Sequence, residues 1–298
     1  MSAVRALCRL FALNALSALS ALLLGACALS ADPVEGVLQK PAGDPAAAST
    51  SVEGRLAALD ARGSAALEAA RAQPQDVPLA LAASRALFEA ADLRLQLGAL
   101  AALDAEKTTE LAEVLSADDR VAAETQAAIL SLATEGQALA ERAIEAREDA
   151  VEAQLLRALH LSLVAWANGP TRSLFAGYGP KLVAAIDRAV ALDAQHDGGA
   201  PLRLQGRFRS KAPWPYGDLD IAREALLRAS EQAPVPVSLL FLGDLHEARG
   251  ERELALAAWR RASEAEADAS TQASAQEIRE LARRRLRAAA PDAAGAAR

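Results

Sequence analysis

Asp218–Pro234 (DLDIAREALLRASEQAP) and Glu251–Ala267 (ERELALAAWRRASEAEA) superpose at an offset of 33 residues. Ala222 falls on Ala255, Leu226 on Trp259 and Ala229 on Ala262, and Arg-Ala-Ser-Glu is identical at 228–231 and 261–264. Self-similarity at that period is the mark of a repeat array. In each copy a small residue, a large one four positions on and a small one three further on form one stripe of an α-helix. The small residues let a neighbouring helix approach, and the large one fills its groove. Ahead of each copy runs a segment carrying a glycine, Gly206 and Gly243, and Leu239, Leu242, Gly243 and His246 again share a face. The expected unit is therefore a hairpin of two helices.

This pattern resembles the tetratricopeptide repeat. Leu239, Leu242, Gly243, Gly250, Ala255, Trp259 and Ala262 fall where that motif has its large, large, small, turn, small, aromatic and small residues. The family's closing proline is present in the earlier copy, as Pro234, and is Ala267 in the later one. The resemblance implies an all-α fold, a tetratricopeptide-like array of helical hairpins (an α-solenoid). Composition agrees with an all-α chain: alanine dominates and only 3% of residues are aromatic, which favours closely packed helices over sheet. A chain of 298 residues need not build one large core in such an array, because each unit buries only its neighbours.

The N-terminus reads as a targeting segment. Arg5 and Arg9 precede an apolar run from Leu10 to Leu24, which ends in Leu24-Gly25-Ala26-Cys27. A charged region, an apolar region and small residues at a cleavage site make a signal peptide over residues 1–26. Small residues followed by cysteine resemble the lipobox of bacterial lipoproteins, which implies that Cys27 becomes the acylated first residue of the mature chain. Ala28, where an aspartate would signal retention, points under that family's sorting habit to the outer membrane, facing the periplasm. The alternative is an uncleaved membrane helix, since Leu10 to Leu29 is just long enough to span. The chain has two cysteines; Cys8 leaves with the leader and Cys27 carries lipid. A mature domain without a thiol excludes disulfides and thiolate metal sites. The formal net charge is −7, and loss of Arg5 and Arg9 makes the mature chain more acidic still. That balance speaks against nucleic acid or an anionic lipid surface as partner.

Residues 27–51, with Pro33, Pro41 and Pro45, read as the lipidated cysteine and a flexible tether. Residues 52–148 read as an N-terminal helical region of degenerate repeats. It comprises a helix over Val52 to Gln73, a crowded and central helix from about Pro78 to Leu103, a short one within Glu106 to Leu115, and an N-cap at Ser116-Ala-Asp-Asp before Arg120 to Ala146. Gly136 is read as a turn splitting that last segment, and Arg142-Ala143 echoes Arg188-Ala189 and Arg228-Ala229. Residues 149–290 read as the repeat region. Its first helix, Asp149 to Trp166, stops at Asn168-Gly169-Pro170. Thr171–Pro180 cannot be one helix, Lys181 to Leu192 returns to helix, and Asp197-Gly198-Gly199 turns the chain. The earlier copy has four more residues than the later between its glycines: Gly206 to Gly217 spans 11 and Gly243 to Gly250 spans 7. The extra residues lie in Lys211-Ala-Pro-Trp-Pro-Tyr-Gly217, a loop stiffened by Pro213 and Pro215. Ser270 to Ala288, Arg-rich at Arg283–Arg285, is expected to be a solvated capping helix, and residues 291–298 a disordered tail.

The run from Tyr178-Gly-Pro-Lys-Leu through Ala185-Ile-Asp-Arg-Ala, Asp197-Gly-Gly-Ala, Gly206-Arg-Phe, Ala212-Pro-Trp-Pro and Gly217-Asp to Ala222-Arg-Glu resembles the T component of TRAP-type (tripartite ATP-independent periplasmic) transporters. The likeness covers about Asp149 to Ala267. It implies a lipid-anchored, all-helical protein that associates with the transporter's periplasmic solute-binding subunit.

No constellation for catalysis is legible. His160, His196 and His246 show no ligand spacing, no Gly-x-Ser-x-Gly elbow or phosphate-cradling loop occurs, and no cofactor or metal is implied. His246 takes a position where the repeat usually has a tyrosine, a packing position. The expected reading is a non-enzyme. In tetratricopeptide arrays the first helix of each pair lines the concave face. Counting from Gly206 puts Arg203, Arg207 and Lys211 there, and counting from Gly243 puts Leu240, Asp244 and Glu247 there. Two accounts of these charges stand: ion pairs between repeats, or a clamp in which two arginines one turn apart hold a carboxylate. Trp166, Tyr178, Trp214 and Tyr216 cluster near loops, either filling gaps between alanine-lined helices or anchoring a partner. Three duties fit: a scaffold for a periplasmic protein partner, a carrier of a small amphipathic ligand in an internal cavity, or an envelope-assembly scaffold unrelated to transport. Replacing Cys27 with serine should move the protein from the membrane to the soluble fraction and abolish incorporation of labelled palmitate; fractionation with a lipid label checks both.

Overall fold

The side chains at the start of each helix explain why the helices begin where they do. The Ser51 hydroxyl accepts from the Gly54 amide, Asp76 accepts from Leu79 with Pro78 in the first turn, and Asp218 accepts from the amides of Asp220 and Ile221. Each of these satisfies an otherwise orphaned helix N–H. In the computed structural model, which describes residues 51–290, these caps open three of eleven α-helices among the described residues. They are α1 (Val52–Ala72), α2 (Val77–Glu106), α3 (Leu111–Leu115), α4 (Ala123–Ala146), α5 (Val151–Phe175), α6 (Tyr178–Asp193), α7 (His196–Lys211), α8 (Leu219–Gln232), α9 (Pro236–Ala248), α10 (Arg252–Glu264) and α11 (Ala275–Ala289). Short 3₁₀ turns at Ala117–Arg120 and Gln272–Ser274 precede α4 and α11. No strand occurs among the described residues, and none of their helices is long and apolar enough to cross a membrane. The signal peptide, Cys27, the tether up to Thr50 and the tail 291–298 lie outside the described residues.

Neighbouring helices pack in pairs: α5 with α6, α7 with α8, and α9 with α10. The stripes read from the sequence are the contact surfaces. Ala222, Leu226 and Ala229 in α8, and Ala255, Trp259 and Ala262 in α10, are completely buried. A Cβ on Gly206 would overlap the Leu226 side chain, and one on Gly243 would overlap the indole of Trp259. The two copies thus share one interlock: a glycine on the first helix opens the space that a large residue on the second fills.

Several boundaries differ from expectation. Gly136 does not split a helix; α4 runs through it, and the glycine is there because the His160 ring of α5 presses on it. Ser116-Ala-Asp-Asp caps no α-helix, because the chain tightens into the 3₁₀ turn and α4 begins only after Ala122. Gly169, at φ +74°, breaks the segment Val151–Phe175 at the expected place, and Gly177 and Asp197-Gly198-Gly199 all adopt left-handed backbone.

The N-terminal helices lie across the row. Helix α2 packs against α1, α4 and α5 and also against α11, while α3 touches α11. Polar contacts hold this closure: Ser274 Oγ donates to Asp92 at 2.6 Å, Arg55 of α1 pairs with the buried Glu277 of α11, and Arg284 pairs with Asp104. The last helix is therefore not the solvated cap expected, since Glu277, Ile278, Leu281, Ala282 and Arg285 are all buried.

The interlock makes a prediction of opposite signs at two glycines. Gly243→Ala must displace a buried indole and should cost about 1–3 kcal/mol, lowering Tm by several degrees. Gly63, mid-helix, would place its Cβ at an ordinary 3.5 Å from Leu87, so Gly63→Ala should stabilise by up to about 1 kcal/mol. Thermal melts of the two variants side by side check the pair.

Candidate functional site

The charged residues expected on one concave face separate into distinct environments. Asp244 of α9 is buried and accepts four hydrogen bonds. Arg285 donates from Nε to Oδ1 at 2.6 Å and from Nη2 to Oδ2 at 3.0 Å, Arg207 Nη1 donates to Oδ2 at 3.1 Å, and the Trp259 indole donates to Oδ1 at 3.1 Å. Burial pushes this carboxyl up, but the two guanidiniums outweigh it and hold it below the usual carboxylate range. Arg207 also pairs with Asp118 at 3.3 Å and lies over the Phe241 ring at 4.6 Å. Lys211 donates to the Leu115 carbonyl at 3.2 Å, and burial, with Arg207 nearby, pushes its ammonium down. Glu247 pairs with Arg252 at 2.8 Å. Arg207 and Asp244 are thus each other's partners. Arg285, read in sequence as part of a solvated run, is the strongest ligand of Asp244. A helical count gives direction but not depth.

Arg203 has no such partner. It is buried, and Nη1 donates to the Gly198 carbonyl at 3.2 Å and to Ser238 Oγ at 3.4 Å.

The three histidines lie in separate places, each bound to its own neighbours. His160 is fully buried, with Nε2 at 3.0 Å from the Ser84 carbonyl and 3.1 Å from its hydroxyl, and Phe88 edge-on to its ring. His196 Nε2 lies 2.7 Å from Glu152, which Arg85 also binds. His246 Nδ1 lies 2.5 Å from Glu251. Among the described residues no three His, Cys, Asp or Glu stand together where they could hold a metal ion.

The aromatics divide by exposure. Trp166 and Tyr178 are half-buried and pack against the α4–α5 core, Tyr178 reaching the α5–α6 core as well. Tyr216 is half-buried, its ring against Gly179 so closely that a Cβ there would strike it. Trp214, between Pro213 and Pro215, is 81% exposed. Phe175, which sequence reasoning missed, is 85% exposed; its only signal was a large apolar residue just before Ala176-Gly177. The loop bearing Trp214 is pinned: Arg209 Nη1 donates to the Tyr216 carbonyl at 3.0 Å, and the Asp218 amide donates to the Arg209 carbonyl at 2.9 Å. The Tyr216–Gly179 contact ties this loop to the first turn of α6, and Phe175 is the last residue of α5, just before α6 begins.

Elsewhere, a half-open groove of about 190 Å³ lies between α1, α2 and α4, with Leu59, Leu67, Leu87 and Leu132 as walls and Asp60 and Glu135 at the rim. Neither family models nor curated proteins match this chain.

His160 supplies a pH test. Burial holds its imidazole down to about 4, against an ordinary value near 6.5. Below about pH 6.5 the unfolded chain takes up a proton that the folded one refuses, so stability falls as pH drops towards 4. His196 works the other way: the hydrogen bond to Glu152 raises it, so its contribution is present in acid and lost as pH rises through the raised value. Between pH 7.5 and 5 wild type should lose about 2 kcal/mol through His160. Denaturant melts of His160→Gln should be less stable throughout but lack this component; equal slopes in the two proteins would mean that His160 is charged when folded.

Proposed function

We propose that this protein is a non-enzymatic, lipid-anchored, tetratricopeptide-like scaffold at the periplasmic side of the envelope. It binds a protein partner, the solute-binding subunit of a TRAP-type transporter. The observation that carries this reading is the pair of outward aromatics. A tryptophan left in water forgoes the burial of some 150–250 Å² of surface, and here a pinned, proline-flanked loop keeps Trp214 there. Phe175, at the end of α5, is a second exposed aromatic. Rigid aromatic anchors of this kind dominate protein–protein interfaces because little conformational freedom is lost on docking. The charges on the first helices support the same placement of the partner site, since Arg207, Asp244 and Glu247 already have partners within the chain.

The reading as a carrier of a small amphipathic ligand has the α1–α2–α4 groove in its favour. Its volume of about 190 Å³ is below the roughly 300–1,000 Å³ usual for ligand sites, and the other depression, of about 580 Å³, is an open face lined by α4 alone, from Ala127 to Ala138, which leaves the scaffold reading ahead. The leader, the repeat resemblance and the likeness over Asp149–Ala267 supply the location and the partner class.

Titration of the purified solute-binding subunit against the full chain tests the proposal. Trp214→Ala and Phe175→Ala, each with unchanged helicity, should weaken binding by roughly tenfold or more. Undiminished affinity in the double variant, or no binding by the unaltered chain, would reject it.

A further inference from the structure

Arg203 and Arg285 are both buried in the protein's interior, at 8% and 4% exposure. They use the same chemical group differently. A guanidinium has a side fork, Nε and Nη2, whose parallel N–H bonds match the two oxygens of a carboxylate. Arg285 commits that fork to Asp244. Arg203 commits only Nη1, to Gly198 and Ser238, and the second of these contacts is at the limit of a hydrogen bond. Among the described residues its Nε and Nη2 donate to no oxygen, and neither belongs to the polar atoms sealed from solvent.

The carboxylates that act on Arg203 without bonding to it are each held elsewhere through at least one oxygen, and among the described residues Asp197 Oδ1 and Asp268 Oδ2 accept no hydrogen bond. Asp92 accepts from Ser274 and Gln96. Asp197 pairs with Arg85 at 3.1 Å. Asp268 Oδ1 accepts from Ser270 Oγ and from the amide and hydroxyl of Thr271. A buried guanidinium lacking a paired carboxylate is a costly arrangement. It becomes favourable when an anion completes it.

We infer that the free fork of Arg203 binds the carboxylate of a small monocarboxylic acid, at the place where α7, α9 and the turn before α11 converge. Ser238 Oγ, beside Nη1, offers a further hydrogen bond to the same group. Asp92, Asp197 and Asp268, the carboxylates that act on Arg203, set the specificity: one negative charge is taken by the Arg203 fork, and a second on the ligand would meet their repulsion. Monocarboxylates should therefore bind better than dicarboxylates, and neutral amides not at all. The site is separate from the exposed aromatic patch, so loss of partner binding in the Trp214 and Phe175 variants should leave it intact.

The test is the melting temperature of the full chain against rising propionate, succinate or propionamide, with ionic strength held constant by chloride. Propionate should raise Tm saturably, succinate more weakly, and propionamide not at all. Arg203→Gln should abolish the propionate response. Arg203→Lys keeps the charge but loses the fork, and should shift half-saturation to concentrations on the order of tenfold higher. Trialanine against its C-terminal amide separates a peptide end from a free acid as the source of the carboxylate. A wild-type response absent for every acid, equal for propionate and propionamide, or unchanged in Arg203→Gln would overturn the inference. If Arg203→Gln does not fold, an Arg203→Lys response identical to wild type overturns it equally.

Discussion

Asp244 is the point on which the packing of this chain turns. It lies on α9 and receives the indole of α10, the fork of Arg285 on α11 and one guanidinium nitrogen of Arg207 on α7. Arg207 then reaches Asp118, in the 3₁₀ turn before α4. One carboxylate thus fixes the relative positions of elements from both halves of the sequence. A charge buried this deeply is tolerated only because all four contacts are made; removing one partner of such a cluster typically costs about 3–5 kcal/mol. The desolvation that burial imposes is the reason Asp244, Arg285 and Trp259 are interdependent.

A solenoid whose units touch only their neighbours frays from its ends. Here the first and last of the described helices touch each other. Ser274 and Asp92 are 182 residues apart in sequence, Arg284 and Asp104 are 180, and Arg55 and Glu277 are 222. Apolar contact between α2 and α11 is supplemented by polar contacts that have a defined geometry, so α11 has one seat rather than a surface to slide on. Arg203 of α7 is buried and Arg207 pairs with Asp118 and Asp244, so these two face protein instead of an open groove, while Lys211 at the helix end stays exposed.

What the sequence made legible was local and periodic. The offset of 33 residues predicted which alanines would line the helix contacts, because helix–helix contact is written in the spacing of small and large side chains; that Gly206 meets Leu226 and Gly243 meets Trp259 came from the structure. The break at Asn168-Gly169-Pro170 and the left-handed Asp197-Gly198-Gly199 were legible for the same reason, being properties of a few adjacent residues. Three things were not legible. Gly136 looked like a turn because glycine at a turn and glycine under a neighbouring ring are the same letter. Arg285 looked solvated because three consecutive arginines point in three directions and only the fold selects which is inside. The difference between Arg203 and Arg207, one turn apart, lies in which side chain reaches each from 35 or more residues away, the hydroxyl of Ser238 or the carboxylate of Asp244, and no short window of sequence contains both partners.

The same accounting of space explains why the surface aromatics are informative. In an interior rich in alanine, several of the rings fit where a neighbour has given up its side chain. Trp259 has Gly243, the His160 ring has Gly136, and Tyr216 has Gly179. Trp214 is two residues from Tyr216 on the same pinned loop, yet no such glycine is provided for it. Its flanking prolines restrict the backbone from turning it inward. Phe175, at the end of α5, is exposed as well. The rule that buries one tryptophan completely leaves another at 81% exposure. An aromatic that the chain's own packing leaves in water is the one the proposed partner would cover.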